Sequence, residues 1–102
     1  MMVSYEFIPE AEEDLKNIIP YIIKRWGVTQ AQRYADLLAR AFNEIADDKA
    51  ISKKFSEKYP ELRVTRCQHH YIFYWPRKPR PLLMAILHKR MDFIHHLKIR
   101  WD

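Results

Sequence analysis

An unbroken apolar run from Leu82 to Leu87 is the strongest pattern in the chain. A short run of this kind, bounded by polar segments, predicts a strand that is buried on both faces near the middle of a small sheet. Residues 76–81, just before it, are all proline, arginine or lysine and predict a stiff basic turn, because proline cannot donate to a strand ladder. His88, Lys89 and Arg90 follow at once. The chain therefore carries cationic side chains out of the buried centre at one edge.

Two helical patterns precede this strand. In residues 15–26 apolar side chains recur at three- and four-residue steps, and a proline followed by acidic residues suits the first turn of such a helix. Gly27 is predicted to cap this helix and Pro20 to bend it. A second apolar stripe covers residues 31–45, and residues 29–32 fit a capping box in front of it. The short connection predicts an antiparallel helical hairpin.

The other segments are shorter. Residues 4–8 predict a first strand, and residues 62–67 and 71–75 predict a β-hairpin. Residues 47–61 are polar and rich in lysine, and they predict no more than a helical turn pinned by apolar side chains, namely Ile51, Phe55 and Tyr59. Residues from Asp92 onward predict a short terminal helix with Ile94, Leu97 and Trp101 on one side.

This order of elements predicts one domain, residues 1–102, of the α+β class. An N-terminal strand is followed by a helical hairpin, which packs on a small, mainly antiparallel sheet that ends in a β-meander, and a short C-terminal helix closes the chain. The apolar content of 48% is that of a folded chain and excludes a disordered one.

The net charge of +5 is unevenly distributed. Residues 1–48 contain more acidic than basic side chains, so the positive charge is concentrated in residues 49–102. Such a face attracts nucleic acid, an acidic protein surface or an acidic peptide. We therefore expect a macromolecular partner with negative charge.

The cellular compartment can also be predicted. No segment approaches the roughly 18 consecutive apolar residues of a membrane helix, and the first residues lack the basic-then-apolar order of a signal peptide. Cys67, the only cysteine, cannot form an internal disulfide. These features predict a reducing cytoplasm and no membrane association.

Cysteine and histidine side chains raise the question of a metal site. His69 and His70 point to opposite faces of a strand, and His95 and His96 diverge on a helix. No pair has the spacing of a zinc site, so we expect no metal and no cofactor. A glycine-rich phosphate loop is excluded because the chain has a single glycine.

A metal-free ribonuclease is the enzyme that the residues could support. It needs an acid/base pair and cations that hold the phosphate. The candidates are His88 for proton transfer and three cations for phosphate binding, Arg63, Arg66 and Arg90. The alternative, which we favour, is a strand-end histidine with ordinary surface arginines, because no second acid/base group is evident.

Four stretches of the chain resemble the ParE branch of the RelE/ParE superfamily of bacterial toxins. The most specific covers residues 86–92, Ile-Leu-His-Lys-Arg-Met-Asp, with His96-Leu97 after it. The others are Pro9-x-Ala11 through Asp14-Leu15 with the later Tyr21-Ile22, then Leu62-Arg63, and Tyr71-Ile72-Phe73-Tyr74. The resemblance implies the same α+β fold and the toxin of a type II toxin–antitoxin pair.

The function that this resemblance implies is inhibition of DNA gyrase by binding, without catalysis. The target contacts would lie on the exposed edge after the buried strand, and we expect them at Arg90, Lys98, Arg100 and Trp101. Direct binding to nucleic acid is possible but secondary. The alternative is a RelE-like ribosome-dependent mRNA interferase, although the chain has no tyrosine after Tyr74, where such relatives often use one. A non-toxic binding module is the second alternative.

The resemblance also implies a cognate ParD-like antitoxin, whose disordered acidic half would fold over the toxin. We expect its contacts on the helical hairpin and the basic second half, at Trp26, Tyr34, Leu38, Arg63 and Arg77.

Overall fold

The computed structural model describes residues 4–101. The elements are β1 (Glu6–Phe7), α1 (Pro9–Trp26), α2 (Val28–Ala46), β2 (Lys53–Ser56), β3 (Tyr59–Cys67), β4 (His70–Trp75), β5 (Leu82–His88) and α3 (Phe93–Trp101). The sheet order is β1-β5-β4-β3-β2, with β1 parallel to β5 and the other pairs antiparallel. The predicted α+β fold, with its helical hairpin, meander and short C-terminal helix, is confirmed.

Gly27 forms the connection between α1 and α2. Its φ of +94° lies in a region that side chains with a Cβ rarely adopt, and its N–H donates to the Ile23 carbonyl at 2.9 Å, so it caps α1 as predicted. The predicted capping box is wrong. Because one glycine closes the connection, α2 already begins at Val28, its N-cap is Gly27, and no side chain caps it.

The segment predicted as a helical turn contains a strand instead. Residues Lys53 and Lys54 pair with Val64 and Arg63 of β3, and Phe55 packs edge-on against Phe73 with ring centroids 5.2 Å apart. Ile51 is 93% exposed and therefore does not anchor the segment. The pattern was not recognisable because β2 is four residues long and largely polar. Its lysines suit an edge position, since they discourage pairing with another chain.

The run from Leu82 to Leu87 forms β5, which is buried on both faces as expected. The middle of the five-stranded sheet, however, is β4, and β5 lies next to the two-residue strand β1. A bulge occurs in β5, where Phe73 pairs with Ala85 but Tyr74 pairs with Leu83. Met84 is the extra residue.

The sheet separates two apolar clusters. The helical hairpin covers one face, where α1 and α2 residues pack on side chains from three strands, including Cys67, Ile72, Tyr74, Leu83 and Ile86. On the other face Leu97 of α3 packs with residues from β3, β4 and β5, including Leu62, Val64, Phe73, Met84 and Leu87. None of the described helices is long and apolar enough to cross a membrane.

Candidate functional site

The segment that follows β5 forms an exposed surface with both cationic and apolar side chains. Lys89, Arg90 and Lys98 are exposed, and three apolar side chains lie among them: Met91 at 39%, Ile94 at 65% and Ile99 at 69% exposure. We call these six residues the α3 surface. Such a mixture is unusual for a plain solvated face and is typical of protein-binding sites.

The turn that carries the α3 surface is held by backbone hydrogen bonds. The N–H of Lys89 donates to the His69 carbonyl at 2.8 Å, and the N–H of Met91 donates to the His88 carbonyl at 2.9 Å. Asp92 then starts α3, since its carboxylate accepts the N–H of His95 at 3.1 Å. The surface is therefore ordered by the end of the sheet.

The predicted target contacts are placed differently by the structure. Arg90 and Lys98 are exposed as expected. The expectation that Arg100 is exposed is wrong, because its side chain is 10% exposed and forms a two-pronged ion pair with Asp14, at 2.6 and 2.8 Å. The side chain of Trp101 lies outside the described part of the chain. Ile94, predicted on the same side of α3 as Leu97, faces solvent, whereas Leu97 is buried.

The four residues of the ribonuclease hypothesis do not converge. Arg63 donates to Ser52. It lies in β3 four residues before Cys67. Cys67 pairs with His70 of β4, and His70 pairs with His88 of β5. Four residues of strand span about 13 Å. Arg66 lies on the other side of the sheet, where it donates to the Gln68 carbonyl at 2.8 Å and stacks on Tyr71.

His88 has partners of its own. Its Nδ1 accepts the N–H of Arg90 at 3.1 Å, and its ring contacts His70 edge-on at 5.2 Å. Burial and then the positive charge of Arg90 lower the pKa of His88 below its ordinary value. His88 is therefore neutral near pH 7, with one nitrogen already occupied.

A buried pair, Tyr34 and His70, was not anticipated from the sequence. The Tyr34 hydroxyl and Nδ1 of His70 are 2.5 Å apart, and the N–H of His69 donates to the same hydroxyl at 3.3 Å. Burial raises the pKa of Tyr34 to about 12 and lowers the pKa of His70 to about 4. Near pH 7 the phenol therefore keeps its proton and the imidazole is neutral, and the two groups share a hydrogen bond. The sequence feature that could have indicated this pair is the hydroxyl of Tyr34 within the otherwise apolar stripe of α2.

The predicted antitoxin contacts divide into buried and accessible residues. Tyr34 and Leu38 are 6% and 1% exposed, since they belong to the stripe of α2 that faces the sheet, and the expectation of surface contacts there is wrong. Arg63 is half-buried against Ser52. Arg77 is exposed but paired with Glu6 at 2.9 Å. Trp26 is 65% exposed.

Several apolar side chains near the connection between the two helices are exposed, and Trp26 is one of them. Tyr21 is 58%, Ile23 43% and Val28 60% exposed, and the Arg25 guanidinium lies 5.7 Å from the centroid of the Trp26 ring. We call Tyr21, Ile23, Trp26 and Val28 the hairpin-tip surface. Periodicity placed Ile23 and Trp26 on the same helical face as Ile18 and Ile22, but the structure buries only Ile18 and Ile22 of these four and leaves Ile23 and Trp26 exposed.

Cys67 is buried and is not poised as a nucleophile, because burial raises the pKa of its thiol. Within residues 4–101, no group of three or more His, Cys, Asp or Glu side chains could hold a metal ion.

His70 gives the protein a pH-dependent stability. Its pKa is about 4 in the folded chain and near 6.5 when unfolded, so the unfolded state binds more protons between these values and stability falls as pH falls. When the pH falls from 7.5 to 5, protonation of this group alone should lower the free energy of unfolding by about 2 kcal/mol, which urea unfolding at the two pH values measures. Burial of His88 acts in the same direction.

The control for this prediction is a pair of variants. His70→Gln should lose this part of the pH dependence, whereas His95→Gln, at an exposed position, should keep it. An equal slope with pH in wild type and His70→Gln would contradict the assignment.

Comparisons with known proteins agree with the fold and the motif. The family model described as ParE toxin of type II toxin–antitoxin system, parDE, matches residues 5–93. Toxin ParE of Escherichia coli is 42% identical over 100 residues, which covers 97% of each chain. A solved chain of the chromosomal ParDE TA system from P. aeruginosa has the same fold, with a TM-score of 0.69 at 14% identity, over 85% of this chain and 96% of that one. The chain therefore belongs to the ParE toxin family of type II toxin–antitoxin systems.

Proposed function

We propose that this chain stops growth by binding DNA gyrase and stalling its cleaved-DNA complex. The observation that carries the proposal is the α3 surface, in which one segment of the chain exposes three cations and three apolar side chains. Apolar contact area supplies affinity, and the cations attract the acidic surroundings of an enzyme that holds DNA. The positive net charge of the second half acts in the same direction. Gyrase works in the cytoplasm, and the proposal places the chain there.

Catalysis of RNA cleavage receives less support. A general base, a general acid and a phosphate-binding cation must lie within hydrogen-bond reach of one phosphodiester. Arg63 and Arg66 are directed to separate backbone and side-chain partners, and Arg66 is on the sheet face opposite His88. An interferase would have to rebuild this arrangement on the ribosome.

We further propose that a ParD-like antitoxin neutralises the chain by covering the hairpin-tip surface. Its exposed apolar side chains are accompanied by Lys24 and Arg25 in the last turn of α1. An acidic amphipathic segment matches both features, since its apolar side would cover the ring of Trp26 and its carboxylates would approach these cations. Trp26 is the expected anchor, because a large exposed aromatic ring beside an arginine is typical of binding hot spots.

The test uses purified protein with gyrase and relaxed plasmid. We expect supercoiling to be inhibited and cleaved linear DNA to accumulate after protein denaturation, and both effects to disappear when antitoxin is added first. Unchanged gyrase activity at excess toxin removes the proposal. In a parallel reaction, primer extension on a translated message reports on RNA cleavage, and a cut there, with gyrase unaffected, would assign the chain to the interferase class. Growth unaffected by expression would favour a non-toxic binding module.

A further inference from the structure

We propose that Asp14, at the start of the first helix, is the positioning residue of the α3 surface, and that it acts through Arg100. The proposal rests on the function proposed above in one respect, the use of the α3 surface against a target. The placement of α3 by Asp14 is a separate claim that can be measured without any target.

The Asp14–Arg100 ion pair joins two distant parts of the chain. Both Arg100 terminal nitrogens donate to the Asp14 carboxylate, at 2.6 and 2.8 Å, and the two side chains are 10% and 14% exposed. An arginine and a carboxylate in this two-pronged geometry, with little water around them, interact more strongly than a surface pair. The contact therefore links the first turns of α1 to the last turn of α3.

The same two side chains satisfy the open edge of β5. The short strand β1 pairs only with Leu82 and Leu83, so the edge beyond has no strand neighbour among the described residues. Asp14 accepts the Ile86 N–H at 2.9 Å, and Arg100 donates to the Met84 carbonyl at 3.2 Å. The carbonyl belongs to the extra residue of the bulge, and the N–H lies two residues after it. The two side chains thus take the place of the backbone hydrogen bonds that a neighbouring strand would form with β5. Because they bond to the backbone of β5, the sheet sets the geometry of the ion pair.

Helix α3 needs such a restraint. It has nine residues, and an isolated helix of that length is unstable in water. Among its described side chains Leu97 is the buried one, with Phe93 partly buried, whereas Ile94, Lys98 and Ile99 face solvent. Leu97 fixes the distance of α3 from the sheet. Arg100, three residues later, fixes its direction and rotation.

The position of Asp14 separates it from the hairpin-tip surface. Trp26 lies twelve positions after Asp14 on α1, which is about 18 Å along the helix axis. A change that loosens α3 should therefore alter target binding and leave antitoxin binding at the tip intact. A merely structural role in folding would affect both.

The experiment compares Asp14→Asn with Glu13→Gln, an exposed neighbour that loses the same charge. Hydrogen exchange of the α3 amides should accelerate at least about tenfold in Asp14→Asn, with the strands β3 and β4 unchanged. The concentration needed to stall gyrase should rise at least about tenfold, and the Kd for the antitoxin should stay within about threefold. Glu13→Gln should behave like wild type.

A second variant covers the case in which Asp14→Asn folds poorly. The double variant Asp14→Asn/Arg100→Gln leaves no unpaired buried charge and should show the same accelerated exchange of α3 in a folded chain. Unchanged α3 exchange in the double variant overturns the proposal, as does a parallel loss of antitoxin binding and gyrase inhibition in the folded double variant. If wild type has no effect on gyrase, the proposed target fails, and exchange of the α3 amides still decides whether Asp14 positions the helix.

Discussion

Replacing Leu38 with alanine is expected to lower the free energy of unfolding by about 3 kcal/mol, a large share of the stability of a domain of this size. Leu38 is 1% exposed and lies in the cluster that joins the helical hairpin to the sheet, with Phe42, Ile72 and Leu83. The substitution removes buried methyl groups and leaves a cavity that the surrounding strands fill only in part. Urea unfolding at pH 7.5 measures the effect, with the denaturant slope as a check on two-state behaviour.

The matched control is Trp26→Ala at the exposed end of the same hairpin. Trp26 is 65% exposed, so its loss should change stability by less than about 1 kcal/mol while weakening antitoxin binding at least about tenfold. The two variants thus separate packing from recognition. A Leu38→Ala protein with wild-type stability and impaired antitoxin binding would mean that Leu38 is a surface contact after all.

Reversing the charge of the α3 surface is expected to abolish gyrase inhibition. The triple variant Lys89→Glu/Arg90→Glu/Lys98→Glu removes three exposed cations and places three carboxylates beside Met91, Ile94 and Ile99. Attraction to an acidic target becomes repulsion, and like charges at an interface are costly, so the inhibitory concentration should rise at least about a hundredfold. The change should be mainly in the association rate and should grow weaker as salt is added.

A second triple variant controls for the change in net charge. Lys49→Glu/Lys53→Glu/Lys58→Glu alters the same number of exposed lysine or arginine side chains near β2, away from α3. It should keep most of its activity against gyrase, and both proteins should bind antitoxin. An equal loss in the two variants would show that overall charge, and not the α3 surface, determines activity.

We therefore propose that antitoxin binding and target binding use different layers of the fold. The hairpin-tip surface belongs to the helical layer, and the α3 surface belongs to the opposite side of the sheet. This arrangement allows each surface to be altered by substitution without the other.

Local patterns predicted most of the architecture. The apolar stripes of α1 and α2 have the period of a helix. The unbroken apolar run from Leu82 to Leu87 is typical of a strand that is covered on both faces. Gly27 was identified by its uniqueness and its place after a helical stripe, and the structure gives it the positive φ that explains the choice of glycine. These features depend on neighbours within a few residues, which a sequence displays directly.

Predictions about single side chains failed where a partner is distant in sequence. Arg100 was predicted on the exposed edge that follows the buried strand, yet it pairs with Asp14, 86 residues away, and is only 10% exposed. Tyr34 and His70 form a buried hydrogen bond between α2 and β4 that neither segment reveals alone. Strand β2 was missed because an edge strand can be short and polar when its neighbour supplies the hydrogen bonds.

Hydrophobic periodicity and chain connectivity are local properties, so the order of residues is enough to predict the class of fold, the helical hairpin, the doubly buried strand and the basic segment after it. Which charged and aromatic side chains remain on the surface follows from the packed fold. That choice depends on whether each polar group finds a partner across the fold, since a buried charge is tolerated only when another segment supplies its counterion and hydrogen bonds.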